Sequence, residues 1–183
     1  MNKTKLVNCF LSGRRKSISK YENQTEELQS KVLQKLIRQA IHTEWGQTHG
    51  FAQVNDYNSF TKTSPINTYE ELKGYIDRMR RGEKDVLWSG KVRWYAKSSG
   101  TTNDKSKFIP VSKECLQDTH YRGGTDAVAL YLGQNPRSRM FDGKALILGG
   151  SHSPNYNLPH SLVGDLSAIL IENVSPFVNH FRI

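Results

Sequence analysis

Residues 98–107, Ser-Ser-Gly-Thr-Thr-Asn-Asp-Lys-Ser-Lys, concentrate hydrogen-bond donors and positive charge in one short segment. The segment contains five hydroxyl side chains, one glycine and two lysines. A glycine lets backbone N–H groups turn toward an anion, hydroxyls add donors, and lysines supply positive charge without a fixed angle. A polyphosphate needs this combination of groups. The segment therefore predicts a nucleotide-binding loop.

The spacing within this segment separates two kinds of phosphate loop. The loop of nucleoside triphosphatases requires Gly-x4-Gly-Lys-Ser/Thr, but the residue five positions after Gly100 is Lys105 and no second glycine is present. The segment instead resembles the signature of adenylate-forming enzymes, Ser/Thr-Ser/Thr-Gly-Ser/Thr-Thr-Gly-x-x-Lys. Two positions depart from that signature, because Asn103 replaces its last glycine and Ser106 its lysine.

Strand patterns flank the segment on both sides. Residues 85–97 alternate in a way that is typical of strands, with a turn at Ser89-Gly90, and residues 107–111 predict a short strand. Pro110 favours an edge or an end of that second strand. Farther along, the apolar run 145–148 predicts a buried strand. The pattern of residues 166–171 fits either a strand or a helix.

Helical spacing of apolar residues predicts three further elements. The first helix covers about residues 26–45, with Asn23 and Glu26 as a capping pair and Gly46 as its stop. Thr68 and Glu71 have the spacing of a capping box, which predicts a second helix that closes near Gly82. A third helix begins at Ser112, and Gly123 and Gly124 within it predict a close backbone approach or a break.

Blocks along the chain are similar to one enzyme family. The blocks are residues 65–83, 86–88, 96–102, 106–111, 121–124 and 164–169. With the loop, they resemble the auxin-responsive promoter family of acyl-acid amido synthetases over about residues 22–183, and bacterial members more than plant ones. The resemblance implies an α/β fold, the N-terminal part of the large domain of an adenylate-forming enzyme, with helices packed on a mixed β-sheet.

The resemblance also implies a reaction. An acyl acid and ATP·Mg²⁺ give an acyl-adenylate and pyrophosphate, and the amine of an amino acid then displaces AMP. Such catalysis depends on positioning and on charge stabilisation at phosphorus. The residues expected to bind phosphate are Ser98, Ser99, Gly100, Thr101 and Thr102. Lys105 or Lys107 would offset charge as pyrophosphate departs, and the sequence does not decide between them.

The ends of the chain suggest how it is organised. Residues 1–21 form a basic arm, and residues 22–183 are expected to be an incomplete adenylate-forming domain. The chain is apolar up to its last residue, unlike a solvated terminus. The family's adenine and ribose motifs and its mobile C-terminal domain would lie beyond Ile183. We therefore expect an N-terminal fragment that is inactive alone.

Charge is concentrated in the arm. The chain has 26 basic and 17 acidic residues, and six of the basic ones lie in the first 20 positions, where there are no acids. The remainder, 20 basic against 17 acidic, is nearly balanced. Such an arm can touch nucleic acid or anionic lipid, but it is more often a solvated leader. We therefore expect neither nucleic acid nor a membrane as a partner, and the resemblance implies a carboxylic acid and an amino acid instead.

Composition limits the other classes of function. Cys9 and Cys115 are far apart and lack metal-ligand spacing, the six histidines form no ligand motif, and we expect no protein metal site. No apolar run approaches the roughly 20 residues of a membrane span, and the start lacks a signal-peptide core. A reducing cytoplasm fits this composition.

Two other functions stay open, as do the roles of several side chains. The first function is a non-catalytic nucleotide- or phosphate-binding module, and the second is a basic nucleic-acid-binding protein. Trp94 and Tyr95 are interpreted as core residues rather than as an acyl pocket. His152 and His160 are interpreted as surface residues rather than as pocket lining. The arginines at 78, 80 and 81 suit the dipole of a helix C-terminus without any ligand.

Overall fold

A computed structural model describes residues 3–98 and 106–179 of the chain. The α-helices and β-strands are, in order, α1 (Lys3–Phe10), α2 (Ser12–Ile18), α3 (Lys20–Asn23), α4 (Thr25–Ala40), α5 (Glu44–Thr48), α6 (Tyr57–Thr63), α7 (Tyr69–Arg80), β1 (Trp94–Ser98), β2 (Lys107–Val111), α8 (Arg122–Gln134), β3 (Leu162–Gly164), α9 (Leu166–Glu172) and α10 (Pro176–Asn179). A π-helical stretch, Cys115–Tyr121, precedes α8, and short 3₁₀ turns lie at Phe51–Gln53 and Pro154–Tyr156.

The chain divides into two compact units. The first unit consists of residues 1–25, 114–149 and 170–183, and the second of residues 26–113 and 150–169. None of the helices in the described ranges is long and apolar enough to cross a membrane.

The sheet of the second unit has the strand order β2-β1-β3. β1 pairs with β2 in antiparallel register from Trp94 opposite Val111 to Ser98 opposite Lys107, and with β3 in parallel. The predicted mixed sheet is therefore confirmed. Pro110 lies in β2, which is an edge strand of this sheet, as expected for a residue that has no N–H to donate.

Helix α7 covers one face of this sheet. Its start follows the predicted capping box, since Thr68 N donates to Glu71 Oε2 at 2.6 Å and Glu71 N donates to Thr68 Oγ1 at 3.4 Å. Gly82, at φ +95°, ends the helical path as predicted. The core formed against α7 consists of Ile76, Met79, Val86, Val92, Tyr95 and Val163, all buried.

The predicted strand over residues 85–97 is confirmed only in its last part. The turn at Ser89-Gly90 is present, because Asp85 N donates to Gly90 O at 3.2 Å and Gly90 has φ +74°. Residues 85–88 are not a strand. The carbonyl oxygens of Asp85 and Val86 accept instead from the first N–H groups of α5, which leaves them unable to join a sheet ladder.

The first predicted helix is also divided differently. α4 begins at Thr25, so Asn23 does not cap it, and it ends at Ala40. Gly46 does not stop this helix but lies inside α5, where its N–H donates to Thr43 Oγ1 at 3.0 Å. Thr43 is fully buried and caps the N-terminus of α5. Helix α5 therefore begins at Glu44, near residue 45, where the sequence predicts the end of the first helix.

In the first unit the basic arm is not a solvated leader. Residues 3–23 are helical, and Leu11 is buried with Ala129 and Leu132 of α8. Arg14 makes a two-pronged ion pair with Asp126, at 2.5 and 2.7 Å, whose hydrogen bonds raise the pKa of the guanidinium. Apolar burial and this pair hold the arm on α8. The division of the chain at residues 21 and 22 stays a prediction.

Two other expectations for residues 112–149 are wrong. No described atom approaches within 4 Å of a Cβ built at Gly123 or Gly124, and α8 runs through both without a break. The run 145–148 is not a buried strand, because all four residues are exposed and only Ala145 forms an isolated bridge. The run 166–171, whose pattern fits either element, forms helix α9.

Candidate nucleotide site

The β1–β2 hairpin fixes the two ends of the donor-rich segment. Ser98 is the last residue of β1 and is paired in register with Lys107, the first residue of β2. The segment between them therefore connects two adjacent antiparallel strands. It lies at the end of the sheet where β1 stops and β2 begins, and this end is called the loop edge of the sheet below. Ser98 is half-buried, whereas Lys107 is exposed to solvent. A hydroxyl and an ammonium group thus lie on opposite strands at the base of the loop.

The remaining residues predicted to bind phosphate are Ser99, Gly100, Thr101, Thr102 and Lys105, and they lie outside the described residues. Their roles stay predictions. Of the predicted set, the structure brings together Ser98 and Lys107.

A second loop reaches the same edge of the sheet. Because β1 and β3 are parallel, the chain leaves both strands at the edge where the hairpin loop begins. Asp165 directly follows β3, and its Oδ2 accepts from Ser151 N at 2.9 Å. Ser167 Oγ accepts from Gly150 N at 2.8 Å, which ties the same loop to α9. Ligands of open α/β sheets bind outside the carboxyl ends of the strands, so this edge is the candidate site.

The start of α7 holds β2 at the base of the loop. Phe108 N donates to the hydroxyl of Tyr69 at 2.9 Å. The Nζ atom of Lys107 lies 5.6 Å from the centre of the same tyrosine ring. The capping box places Tyr69 as the first residue of the helix. The capping box, a local sequence signal, thus positions the Tyr69 side chain, which hydrogen-bonds to strand β2 next to Lys107.

The end of α7 contributes a buried cation beneath the hairpin. The guanidinium carbon of Arg80 lies 3.8 Å from the centre of the Phe108 ring, and Nη2 donates to Tyr156 O at 2.7 Å. Lys97 Nζ lies 4.5 Å from the centre of the Tyr156 ring, which itself contacts Phe108. The side chains of Arg80, Phe108, Lys97 and Tyr156 thus pack together on one face of the hairpin. The side chain of Ser98 lies on the other face.

The sequence interpretation of the arginines at the end of α7 needs correction. Arg80 is only 9% exposed and packs under the sheet, so it does more than complement the helix dipole. Arg78 pairs with Glu44 at 2.9 Å and with Glu83, and these hydrogen bonds lower the pKa of both carboxyl groups. Nothing local in the sequence signals the role of Arg80, since Tyr156 is 76 residues away.

The core interpretation of the aromatic pair of β1 is confirmed for Tyr95 and only in part for Trp94. Tyr95 is fully buried, which confirms the core interpretation, and burial raises the pKa of its hydroxyl. Its oxygen has no hydrogen-bond partner among the described residues. Trp94 is half-buried, and its ring centre lies 5.6 Å from that of His152.

His160 packs against Gly82. A Cβ at Gly82 would lie 2.7 Å from His160 Cδ2, and the φ of +95° at Gly82 would strain any other residue.

The donor chemistry of this edge suits an anion. Among the described residues its donors include Ser98 and Lys107, and the carboxylate of Asp165 lies in the neighbouring loop. The described part of the chain contains no group of three histidine, cysteine or acidic side chains that could hold a metal ion. ATP fits such a set. Mg²⁺ would be held chiefly by the phosphate oxygens, as is common for this ion.

Comparison with known proteins identifies the fold class. The structure resembles that of a GH3.15 acyl acid amido synthetase with a TM-score of 0.69 at 24% identity, covering 86% of this chain and 28% of that protein. The structure of the AtGH3.15 acyl acid amido synthetase in complex with 2,4-DB matches with the same TM-score. The fold is thus a part of the α/β domain found in acyl acid amido synthetases.

Sequence comparison identifies the family. The GH3 family N-terminal domain matches residues 14–179, and this chain therefore belongs to the GH3 family. A jasmonoyl–L-amino acid synthetase, JAR6 of Nicotiana attenuata, is 32% identical over 108 residues, which cover 57% of this chain. The indole-3-acetic acid-amido synthetase GH3.15 of Arabidopsis thaliana is 32% identical over 93 residues, or 50% of this chain.

The matched regions are a small part of these relatives. They cover 19% of JAR6 and 16% of the Arabidopsis enzyme. The resemblance to the acyl-acid amido synthetases is thus confirmed as family membership. The narrower resemblance to bacterial members stays a prediction.

Proposed function

We propose that this chain is the N-terminal part of an ATP-dependent acyl-acid amido synthetase, a ligase that joins a carboxylic acid to an amino acid in the cytoplasm. The observation that carries the proposal is the pairing of Ser98 with Lys107 at the base of the donor-rich loop. Membership of the GH3 family and relatives named as amido synthetases support it. Because the matched regions cover less than a fifth of those relatives and 28% of the solved GH3.15 structure, we propose that the chain is inactive alone.

The proposed reaction has two steps. A carboxylate oxygen attacks the α-phosphorus of ATP, the bond to the β-phosphate oxygen breaks, and an acyl-adenylate and pyrophosphate result. The amine nitrogen of an amino acid then attacks the acyl carbonyl carbon. The bond from that carbon to the AMP oxygen breaks, and the nitrogen loses a proton as the amide forms.

The role of this chain in the first step is to hold the β- and γ-phosphates. In the proposal, the hydroxyls of the loop donate to phosphate oxygens and Gly100 lets the backbone approach. Lys105 or Lys107 offsets charge on the departing pyrophosphate. When bound, Mg²⁺ neutralises part of the phosphate charge. Tyr69 and Arg80 act as positioning residues because both contact Phe108 of β2, Tyr69 through a hydrogen bond from the backbone N–H and Arg80 by stacking on the ring.

Calorimetric titration of the chain with ATP·Mg²⁺ tests the site. We expect the triple variant Ser98→Ala, Thr101→Ala, Lys105→Ala to bind at least roughly tenfold more weakly, because it loses hydrogen bonds to a charged ligand. The matched control is Ser30→Ala, Thr61→Ala, Lys91→Ala, which removes the same side chains at exposed positions. Equal affinity of the two triple variants would show that the site assignment is wrong.

Separate single variants decide between the two lysines. If Lys105 contacts phosphate, Lys105→Ala weakens ATP·Mg²⁺ binding and Lys107→Ala does not, and the reverse result assigns Lys107.

Carboxylate-dependent exchange of pyrophosphate into ATP tests the reaction. A panel of acids should include those in the names of the relatives, namely jasmonic acid, indole-3-acetic acid and 4-substituted benzoates. We expect no exchange by the 183-residue chain alone. Exchange would contradict the proposed inactivity of the chain while supporting the proposed reaction, and the triple variant would then abolish it.

A further inference from the structure

Lys97 is the residue directly before Ser98 at the end of the central strand β1. Its side chain is half-buried, and its Nζ atom lies 4.5 Å from the centre of the Tyr156 ring. Within residues 3–98 and 106–179, the ammonium group has no hydrogen-bond acceptor and no carboxylate partner. Burial raises the cost of a charge that lacks a counter-ion. A cation therefore lies beside the loop edge of the sheet with its charge uncompensated.

Packing, and not a charge partner, sets the position of this ammonium group. Tyr156 contacts Phe108, with ring centres 5.6 Å apart, and its backbone oxygen accepts from Arg80 Nη2 at 2.7 Å. The acidic residue that comes next to Lys97 in the register of β1 and β3 is Asp165, but its carboxylate accepts from a backbone N–H of its own loop. A fixed tyrosine ring thus holds the lysine, and this carboxylate does not neutralise it.

We propose that Lys97 binds the phosphate chain of ATP at the loop edge of the sheet, together with Ser98 and Lys107. The inference rests on the function proposed above and adds a phosphate-binding residue to it. Lys97 and Ser98 lie on opposite faces of β1, but Ser98 is only about 3.3 Å farther along the strand. A ligand beyond the end of a strand is within reach of side chains from both faces. The flexible four-carbon stem of lysine allows the ammonium group to move from the ring to a phosphate oxygen.

The charge of the ligand favours a second lysine. ATP·Mg²⁺ retains more negative charge than one lysine offsets, and further charge develops on the pyrophosphate as it departs. Lys97 is paired in register with Phe108, the residue next to Lys107, so the two lysines come from neighbouring strands at the same end of the sheet. In this proposal they share the phosphate charge, and Tyr156 is a positioning residue that acts through Lys97.

Calorimetric titration of the full chain with Mg²⁺-tripolyphosphate, beside ATP·Mg²⁺, tests the proposal. Tripolyphosphate carries the phosphate chain without a nucleoside, so its binding does not depend on contacts to adenine or ribose. Lys97→Met removes the charge but keeps an unbranched side chain that packs well against an aromatic ring. We expect it to weaken the binding of both ligands by about tenfold, because a charge-assisted hydrogen bond is lost. Lys97→Arg keeps the charge and the ring contact and should bind within about threefold of the unaltered chain.

A double-mutant cycle tests the positioning role of Tyr156. Tyr156→Leu removes the ring beneath the ammonium group but keeps the backbone oxygen that Arg80 binds. It should weaken tripolyphosphate binding about threefold in the unaltered chain and have no further effect in Lys97→Met, because the ring acts through the lysine. A merely structural role of the ring would weaken binding equally in both backgrounds, and that result would overturn the positioning role.

Lys91→Met is the matched control, since Lys91 is an exposed lysine of the same unit that lies outside the strands. It should bind both ligands like the unaltered chain, and the circular dichroism of all variants should match. Lys97→Gln serves as a second neutral variant in case Lys97→Met does not fold.

Two results would overturn the role of Lys97. The first is equal affinity of Lys97→Met and Lys91→Met for tripolyphosphate while Ser98→Ala weakens binding. That result would keep phosphate at the loop edge, and the proposed function with it, but without Lys97. The second is no binding of tripolyphosphate by the unaltered chain. Pyrophosphate exchange tests the ligase reaction separately, so its failure beside a tenfold loss in Lys97→Met would contradict the proposed reaction and keep the role of Lys97.

Discussion

Two short apolar runs, Lys107–Val111 and residues 145–148, have the same strand-like pattern but different structures. The first is strand β2, which pairs along its whole length with β1. In the second, Ala145 forms only an isolated bridge, and Leu146 and Leu148 are 69% and 85% exposed and lie outside any strand of the described ranges. A strand satisfies its backbone only through a neighbour, so apolar composition alone does not produce one.

The two regions also differ in what packs against them. Behind the hairpin that contains β2, α7 supplies Met79, which is 1% exposed, and Arg80 stacks on Phe108. A single loop joins β1 to β2, so the strand that pairs with β2 is close to it in the sequence. We therefore expect the hairpin strands, paired locally and covered by a helix, to contribute more to the stability of this chain than the run 145–148.

The largest expected effect comes from deleting a side chain behind the hairpin. Met79→Ala should lower the free energy of unfolding by about 2–5 kcal/mol, since it removes buried atoms and leaves a cavity. Leu148→Ala should change it by less than about 0.5 kcal/mol because the side chain is exposed. Urea unfolding of both variants measures the difference. Equal losses would mean that residues 145–148 are as well packed as the hairpin, against the exposure of Leu148.

Arg80 tests whether the cation beneath the hairpin matters as a cation or as a planar group. Arg80→Ala should lower the free energy of unfolding by about 2 kcal/mol, since the carbonyl of Tyr156 loses its donor and Phe108 its stacking partner. Arg80→Lys keeps the charge but not the planar fork, so we expect a loss about half as large. Urea unfolding measures both, and full recovery of stability by lysine would contradict a role for stacking.

The cap of α7 has a smaller expected effect. Thr68→Ala should cost about 1 kcal/mol, because the Oγ1 atom that accepts from Glu71 N is lost. Thr61→Ala is a suitable control, since Thr61 is exposed within α6 and caps no helix. Thermal unfolding should separate the two variants by a few degrees. A control as destabilised as Thr68→Ala would show that the loss is not specific to the cap.

Features set by neighbouring residues could be predicted from the sequence. The capping box at Thr68 and Glu71, the turn at Ser89-Gly90 and the strand 107–111 each depend on residues a few positions apart, and the structure confirms them. The same local signals placed Ser98 and Lys107 at the ends of one loop.

Features that depend on distant partners could not be predicted. Val86 lies in a strand-like pattern, but its carbonyl bonds to the start of α5, more than 40 residues earlier. Arg14 looks like part of a solvated basic arm until Asp126 is brought beside it. Arg80 likewise gains its role only through Tyr156. In each case a long-range polar contact overrides the local pattern, and single-sequence patterns contain no information on such pairs.

The smallest effect at neutral pH is expected from Tyr95, the buried centre of β1. Its hydroxyl has no hydrogen-bond partner among the described residues, so Tyr95→Phe removes a desolvated group at little cost in packing. We expect stability at pH 7 to be unchanged or to rise by up to about 1 kcal/mol. A loss of more than about 1 kcal/mol would show that the hydroxyl is satisfied after all.

High pH sharpens this test of the buried hairpin. Burial raises the pKa of Tyr95 in the folded state above the ordinary tyrosine value of about 10. The unfolded chain therefore loses the tyrosine proton first, and the stability that the neutral group contributes falls as pH rises above about 10. Phenylalanine has no proton to lose, so the advantage of Tyr95→Phe should grow by up to about 1.4 kcal/mol per pH unit above that value. Urea unfolding from pH 8 upward measures it, and a difference between the two proteins that stays constant with pH would mean that the Tyr95 hydroxyl is not desolvated in the fold.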